Sequence, residues 1–467
     1  MAIQIYNSLT KKKEEFIPQT GKNVKMYCCG VTVYDKCHIG HARSLYIFDM
    51  IKRYLNLRGF NVYFVRNITD VDDKIINKAK ELKSSSEEVA QRNIDGYYND
   101  LKLLEVDKAD CEPRATENIE AMVEYIKELI GKGYAYEVSG NVYYEVKKFK
   151  EYGKLSGQSI EHMLDAVRIE TDINKKDPLD FALWKKSSDE DPGWNSPWGR
   201  GRPGWHIECS CMSMKHLNTQ TLDIHAGGRD LIFPHHENEV AQSEALSGKP
   251  FARYWIHLGL LTIRAQKMAK SLGNFITVED AVGKYSANVL KMFYISSHYA
   301  SPIDFSEEKM ADARKALGRF EVLILKAEEL LKEKNVDPCE VEFVNNFKEK
   351  FFESMDDDFN SAKALGYLFE WTNETNKFFD RNKDDSDYYA IIASSVNQLK
   401  ELFKNVFMIT FAPGKEELTE EEQSLLKQRQ EARLNKDYKK SDELRDLLKN
   451  KNIIVEDSKA GQTWRRL

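Results

Sequence analysis

Between Val24 and Val65 the chain changes hydrophobic period twice. An apolar run from Val24 to Cys29 leads into a Gly30-containing loop. An amphipathic stretch follows from about Gly40 to Leu57 and stops at Gly59, before a second short run, Asn61-Val-Tyr-Phe-Val65. Short apolar runs on either side of a one-faced helix predict a βαβ unit, with ligands where the first strand meets the helix. Residues 79 to 135 read as mostly helical. Residues 136 to 186 turn strand-like around Asn141-Val-Tyr-Tyr-Glu145, consistent with an insertion in a nucleotide-binding domain. The Pro, Gly and Trp density from Asp191 to Trp205 predicts a shaped loop rather than a regular element. A second α/β half runs from Trp205 to about Gly273, with a helix starting near His235 and stopping at Ser247-Gly248-Lys249-Pro250.

Beyond Ser306 the pattern is purely helical. Met310, Ala313, Leu317, Phe320, Ile324, Ala327 and Leu331 recur at steps of three and four, the mark of one apolar helix face. Further stretches at roughly 340 to 354, 359 to 380 and 387 to 406 predict a bundle, and a charged, helix-rich tail follows Pro413-Gly414. At about 150 residues per domain, 467 residues suggest three domains. The expected limits are 1–305, with an insertion at about 120–200, then 306–412 and 413–467.

Composition narrows the class. No stretch approaches the ~18 consecutive apolar residues of a membrane span, and the lysine-rich start lacks the apolar segment of a signal peptide, so a cytoplasmic location is expected. Seven irregularly spaced cysteines argue against a disulfide framework. With 69 basic and 75 acidic residues the formal charge is −6, so contact with a nucleic acid requires a local basic face.

Three constellations carry chemistry. His38-Ile-Gly-His41 falls where the first loop enters a helix, whose unpaired N–H groups and dipole favour phosphate. Gly40 permits close backbone approach there, and two imidazoles can donate to phosphoryl oxygens. Alone, the same residues serve equally as a cap and a packed ring. Lys267-Met-Ala-Lys-Ser271 places two lysines three apart after the second α/β half. Such a pair is by itself most often a solvated turn. Cys29, Cys209, His235 and Glu239 are all accepted zinc-ligand types, and the last two sit at i and i+4 on one helix face. Buried apolar cysteines and acids near a helix start would account for them too.

Taken together, the histidine and lysine motifs bracketing two α/β halves resemble a class I aminoacyl-tRNA synthetase. Several stretches resemble the cysteinyl-tRNA synthetase family in particular. They are Met26-Tyr-Cys-Cys-Gly-Val-Thr-Val-Tyr-Asp35, Asn67-Ile-Thr-Asp-Val-Asp-Asp-Lys74, Gly201-Arg-Pro-Gly-Trp-His-Ile-Glu-Cys-Ser210, Asp223-Ile-His-Ala-Gly-Gly-Arg-Asp230, Phe233-Pro-His-His-Glu-Asn-Glu239 and Met355-Asp-Asp-Asp-Phe-Asn360. The resemblance runs the length of the chain. It implies an α/β fold: a Rossmann-like class I catalytic domain with an inserted subdomain, then an α-helical bundle and a small C-terminal anticodon-binding domain.

By the same resemblance, Cys29, Cys209, His235 and Glu239 hold one Zn2+ that binds the sulfur of substrate L-cysteine. Zinc lowers a bound thiol's pKa, whereas serine is a poor ligand and alanine offers none. A site built on one polar group rejects analogues lacking it by ~10⁴–10⁵, so no editing domain is needed. Gly30, Thr69 and Trp205 are implied at the amino acid. Gly40, Gly228, Asp230 and His257 are implied at ATP, which brings Mg2+. His38, His41, Lys267 and Lys270 are the implied catalytic groups, at the phosphates. Two departures stand out. Ala269 replaces the usual Ser of the lysine motif, and Cys28 precedes Cys29 where one thiol is typical. Successive strand residues face opposite sides, so one thiol reaches the metal, and Cys29 is chosen because it directly precedes Gly30.

The tail from Lys427 to Lys449 is basic, and the chain closes on Thr463-Trp-Arg-Arg-Leu467. Such a helix is most often solvated surface. Its likeness to the family's anticodon module makes Arg433, Tyr438, Asp442 and Asp457 the expected readers of tRNA(Cys), with Tyr438 where the family often has Trp. A cysteine ligase for a small amine or sugar amine would share the zinc site and ATP motifs but needs no such tail. An inactive RNA-binding or zinc-storing relative would not need intact motif residues. A simple nucleotidyltransferase would need neither the zinc ligands nor the bundle. No obligatory protein partner is evident.

Overall fold

The computed structural model describes residues 2–159, 174–268, 274–334, 336, 339–379, 387–411, 419–451, 453–458 and 461–466. Its centre is a parallel sheet. The elements that build the site are strand β1 (Asn23–Thr32), helix α1 (Ile39–Leu57), strand β2 (Asn61–Thr69), helix α2 (Trp205–His216), strand β3 (Leu222–Gly228), helix α3 (Glu237–Ser247) and strand β4 (Ala252–Leu258). The strand order is β4-β3-β1-β2, every pairing parallel. Strands covered on both faces are buried on both faces, as β1 is from Met26 to Cys29 and β3 from Leu222 to Gly227. The order reverses at β1. A crevice therefore opens at the carboxyl ends of β1 and β3, beside Cys29-Gly30 and Gly227-Gly228.

The pairing of β1 with β2 shifts register between Cys28 and Val31. Irregularities of this kind re-aim side chains at sites. Gly30 is required there: a Cβ would lie 1.7 Å from the Asn67 carbonyl oxygen.

The inserted subdomain is an antiparallel sheet formed by Ala135–Val138, Asn141–Tyr144, Phe181–Lys186 and Gly201–Pro203. The last strand corrects the expectation that 191 to 205 holds no regular element. Pro203 fits because it sits on the sheet edge, where its missing donor costs nothing.

Helices α4 (Glu307–Leu331), α5 (Glu342–Asp356), α6 (Ser361–Phe379) and α7 (Tyr388–Phe407) form the bundle. It shares one hydrophobic core with α1, running from Met26 and Tyr46 to Trp371 and Phe407. Tyr46 donates to the Phe407 carbonyl at 2.9 Å. Asp356 accepts from Tyr54 at 2.6 Å and Arg58 at 2.9 Å, and Asp358 accepts from the Tyr6 amide and the Tyr299 hydroxyl. Asp358 and Phe359 both have positive φ, and these contacts hold that strained turn in place. The Met355–Asn360 acids are therefore the joint between bundle and sheet.

A second brace comes from Arg43. Its buried guanidinium donates to the carbonyls of Gly259, Leu260, Tyr299 and Ser301, tying α1 to the segment after β4. Burial holds its pKa down to about 10.

The tail contains helices α8 (Glu420–Leu434) and α9 (Tyr438–Asn450), as its charge pattern predicts. It ends in a hairpin of β5 (Ile453–Ser458) and β6 (Gly461–Arg466), where only helix-rich character is expected. The β-branched run from Ile453 explains the difference, since Ile453 and Val455 pack with Leu426 and Leu448 into a small separate core.

Candidate active site

At the carboxyl end of β1, four side chains from distant parts of the chain converge. The ligand atoms of Cys29, Cys209, His235 and Glu239 all lie within 4.8 Å of one another, and all four residues are buried. Cys29 Sγ is 3.6 Å from Cys209 Sγ and 3.3 Å from Glu239 Oε1, and His235 Nε2 is 3.1 Å from the same oxygen. A tetrahedral ion with bonds of ~2.0–2.3 Å separates its ligands by about 3.3–3.8 Å. Sulfur, nitrogen and oxygen donors at that spacing fit zinc. Cys28, by contrast, packs into the main core, while Cys29 shares a separate buried cluster with Cys209. Cys28 is the packing cysteine of the pair.

The electrostatics fit a cation as well. Although burial raises it, Glu239 is held down to about 2 by His225 and His235. Burial likewise opposes ionisation of Cys209, yet the Cys29 and His235 contacts bring it to about 6. Burial lowers His235, but Glu239 and Cys209 hold it up at about 10. Two buried anionic donors thus face one protonated imidazole, the positive charge a bound metal ion would supply in its place. His225 Nε2 lies 2.8 Å from Glu239 Oε2, and His206 Nδ1 lies 2.9 Å from His235 Nδ1, so the carboxylate and the His235 ring are each oriented from behind. A second set, Cys29, His225, His236 and Glu239, also meets the spacing criterion, but it shares two of its members with the first.

Trp205 begins α2, and its ring stacks on His235 with centroids 4.1 Å apart. Thr69 ends β2 and donates to Glu208 Oε2 at 2.7 Å. The Gly30 amide donates to Asn67 Oδ1 at 2.8 Å, and the Cys209 thiol lies 3.6 Å from the same oxygen. Asn67, Glu208, His225 and Tyr27 are site residues absent from the sequence-based selection. All four stand inside quoted motifs, but only the packing of strands and helices shows which of their side chains face the cluster. Tyr27 is completely buried, and among the described residues its hydroxyl meets no partner at full hydrogen-bond geometry. A buried polar group left unpaired costs roughly 1–3 kcal/mol.

The expected phosphate end lies at the start of α1. His38 is the N-cap: its Nδ1 accepts from the amides of Gly40 at 3.0 Å and His41 at 3.2 Å, while His41 Nδ1 accepts from the His38 amide at 3.3 Å. The rings stack 3.8 Å apart. With both Nδ1 atoms accepting, each neutral ring carries its proton on Nε2, as a donor. Burial, then His38 and Lys74, lower His41 to about 3, so it donates without a net charge at neutral pH. A Cβ on Gly40 would come within 2.8 Å of the His38 ring.

The chain after the lysine motif pairs back onto this loop. The Ile39 amide donates to Ile276 and the Val278 amide to Cys37, and Met268 reaches the space beside Gly40. The backbone of Lys267 pairs with Thr262 in a short hairpin. Lys270 lies outside the described residues. Asp230 is exposed just past β3, and a Cβ on Gly228 would meet its carboxylate at 2.6 Å. His257 is buried in β4, with Ser8 Oγ at 2.7 Å from Nδ1 and His236 Nδ1 at 2.8 Å from Nε2.

Comparison with known proteins decides the family. Residues 15–315 match the model of the tRNA synthetases class I (C) catalytic domain, residues 350–407 a DALR domain, and residues 415–465 the cysteinyl-tRNA ligase anticodon binding domain. The cysteine–tRNA ligase of Thermodesulfovibrio yellowstonii is 47% identical over 484 residues, covering 99% of both chains. That of Anoxybacillus flavithermus is 46% identical over 471 residues and all of both chains. The chain belongs to the cysteine–tRNA ligase family. It is a class I aminoacyl-tRNA synthetase. Its fold is also shared with Mycobacterium tuberculosis methionyl-tRNA synthetase in complex with methionyl-adenylate, with a TM-score of 0.66 at 15% identity over 83% of this chain and 92% of that one. Among the described residues, no helix is long and apolar enough to cross a membrane.

The residues matched by the family's anticodon-binding model include the four expected tRNA contacts. Tyr438 opens α9 and is 61% exposed, and Asp442 is exposed on the next turn. Asp457 is engaged otherwise. It makes a two-oxygen contact with Arg429, which is fully buried, at 3.0 and 2.8 Å, and another with Arg433 at 2.5 Å. Asp457 is exposed, but its removal strands the buried Arg429 guanidinium. Asp457→Ala is therefore expected to cost about 1–3 kcal/mol of C-terminal stability. Limited proteolysis of the tail checks this. Unchanged resistance with weakened tRNA charging would make Asp457 a reader rather than a brace.

Proposed function

We propose that the chain uses one zinc ion, held by Cys29, Cys209, His235 and Glu239, to select L-cysteine, activates it with ATP and transfers it to tRNA(Cys). The observation that carries the selection step is the convergence of those four side chains, with their ligand atoms all within 4.8 Å of one another. When bound, zinc would take a thiolate and lower the pKa of an incoming thiol, chemistry that serine and alanine cannot match. Trp205, stacked on His235, walls the amino-acid pocket. Gly30 and Thr69 face it from β1 and β2, with Asn67 and Glu208 fixing their orientation.

For activation, a cysteine carboxylate oxygen attacks the α-phosphorus of magnesium-bound ATP. A new P–O bond forms, the α–β bridge breaks and pyrophosphate leaves. The Nε2–H groups of His38 and His41 donate to the phosphate oxygens as charge builds, the arrangement that favours a transition state over a ground state. Lys267 and Lys270 neutralise the pyrophosphate side. Gly40 and Gly228 leave room for the nucleotide, Asp230 takes the ribose hydroxyls, and His257 borders the adenine end. No side-chain nucleophile is required. The terminal adenosine's 2′-hydroxyl then accepts the cysteinyl group.

The domains divide the work at 1–305, 306–412 and 413–467, with Arg433, Tyr438, Asp442 and Asp457 toward the anticodon. The match to the anticodon-binding model favours tRNA over a small amine as the acceptor. An exposed aromatic beside cations suits stacking on an unpaired base, worth about 1–3 kcal/mol. Tyr438→Ala is expected to lower kcat/KM for tRNA(Cys) about tenfold and to leave cysteine-dependent pyrophosphate exchange unchanged. Charging at the parental rate would remove Tyr438 from the interface.

A further inference from the structure

Tyr27 lies two residues before Cys29 on β1, so both side chains project from the same sheet face. The register sets Tyr27 opposite His225 of β3, and the rings meet edge to face at 5.4 Å. Tyr27 shares a buried cluster with Cys29 and Cys209, and the charge-bearing groups that act on it are Cys209, Cys29 and Glu239. Among the described residues its hydroxyl nonetheless meets no partner at full hydrogen-bond geometry, and Cys209 is the side chain placed to take one from it. A phenylalanine would fill the same space without burying an unpaired donor.

The possible acceptors differ in what already faces them. Glu239 Oε1 faces Cys29 and His235, and Oε2 faces His225. Cys209 has Asn67 Oδ1 at 3.6 Å, an oxygen that can accept but not donate. Once metal binding removes the thiol proton, that sulfur becomes an acceptor turned toward an acceptor.

We propose that the Tyr27 hydroxyl is a positioning donor to the Cys209 sulfur in the metal-bound site, adjusting how strongly that sulfur binds the ion and so how readily the ion takes the substrate thiol. The proposal rests on the zinc reading above. A donor to a ligating sulfur withdraws its electron density, leaving the metal a stronger acid toward an incoming ligand. Tyr27 touches neither the nucleotide nor the tRNA in this role.

The test compares the full-length parent and Tyr27→Phe after loading each with Co2+, whose sulfur-to-metal charge-transfer band reports on ligand sulfurs. The band is expected to move to longer wavelength in the variant. KM for cysteine is expected to rise about tenfold in pyrophosphate exchange, with KM for ATP unchanged and kcat within twofold. Melting of the metal-free proteins should show the variant at least as stable as the parent, with metal raising its melting temperature less. Superimposable Co2+ spectra with an unchanged KM for cysteine would overturn the proposal. So would equal destabilisation of the variant with and without metal, which would make the hydroxyl a packing group. A parent that binds neither Co2+ nor Zn2+ would instead overturn the zinc reading itself.

Discussion

Replacing Cys209 by Ser is expected to remove the metal and, with it, cysteine-dependent pyrophosphate exchange. The parent should carry about one zinc per chain, and the variant a small fraction of that. The hydroxyl is nearly the size of the thiol, so the fold should be kept, but it is a hard, weakly acidic donor where the ion favours sulfur. Cys209 is also the thiol whose surroundings favour ionisation, with His235 on one side and Cys29 on the other. Losing it leaves Cys29, His235 and Glu239, a set with one thiolate. The effect on selectivity should exceed the effect on folding. Rejection of analogues lacking the recognised group is worth ~10⁴–10⁵ in a site of this kind, and without it the residual exchange should no longer distinguish cysteine from serine. Metal analysis beside exchange assays with both amino acids provides the check. A metal-free parent that still prefers cysteine would refute the mechanism.

The second large effect concerns the start of α1, where one ring does two jobs. His38 caps the helix through Nδ1 and offers Nε2–H outward. An asparagine amide oxygen reproduces the first role and cannot reach the second. His38→Asn should therefore keep the melting temperature near that of the parent and lose about 10²–10³ in kcat of activation, the scale of one lost charge-stabilising donor. His38→Ala removes the cap as well, adding about 1 kcal/mol of destabilisation. His41→Gln, whose amide nitrogen lies near the imidazole Nε2 position, should retain more activity than His41→Asn. Equal loss in the two His41 variants would show that His41 serves the cap alone. Because burial holds His41 far below its ordinary pKa, folding excludes a proton that the unfolded chain binds below about pH 6.5. Its share of stability is full above that pH and declines as pH falls toward 3.

The proposed ligands Cys29, Cys209, His235 and Glu239 are legible through the family resemblance of the motifs around them, because by residue type alone buried cysteines and acids at a helix start would account for them. His225 is harder to read because it sits between Ile224 and Ala226 in an apolar strand, where an isolated histidine reads as core. Only the parallel register beside Tyr27 shows that its imidazole backs Glu239. Glu208 is hidden similarly, as an acid in the first turn of a helix, where the dipole alone would justify it. Asp457 illustrates the opposite case. Its place in the sequence suggests a reader of tRNA, while the fold gives its carboxylate to Arg429. Strand boundaries near Gly201 and Ile453 escape periodicity because three- to six-residue strands are too short to establish a repeat.

The joint built from Asp356 and Asp358 bears on how the molecule can be divided. Tyr46 and Tyr54 of α1 are completed by groups of the bundle, and their neighbours are sealed by its side chains. Cutting the chain before α4 would strip cover from the very helix that carries His38 and His41. What family comparison separates into a catalytic unit and an appendage shares one core between α1 and the bundle, whereas the small module beyond α7 has a core of its own to lose independently.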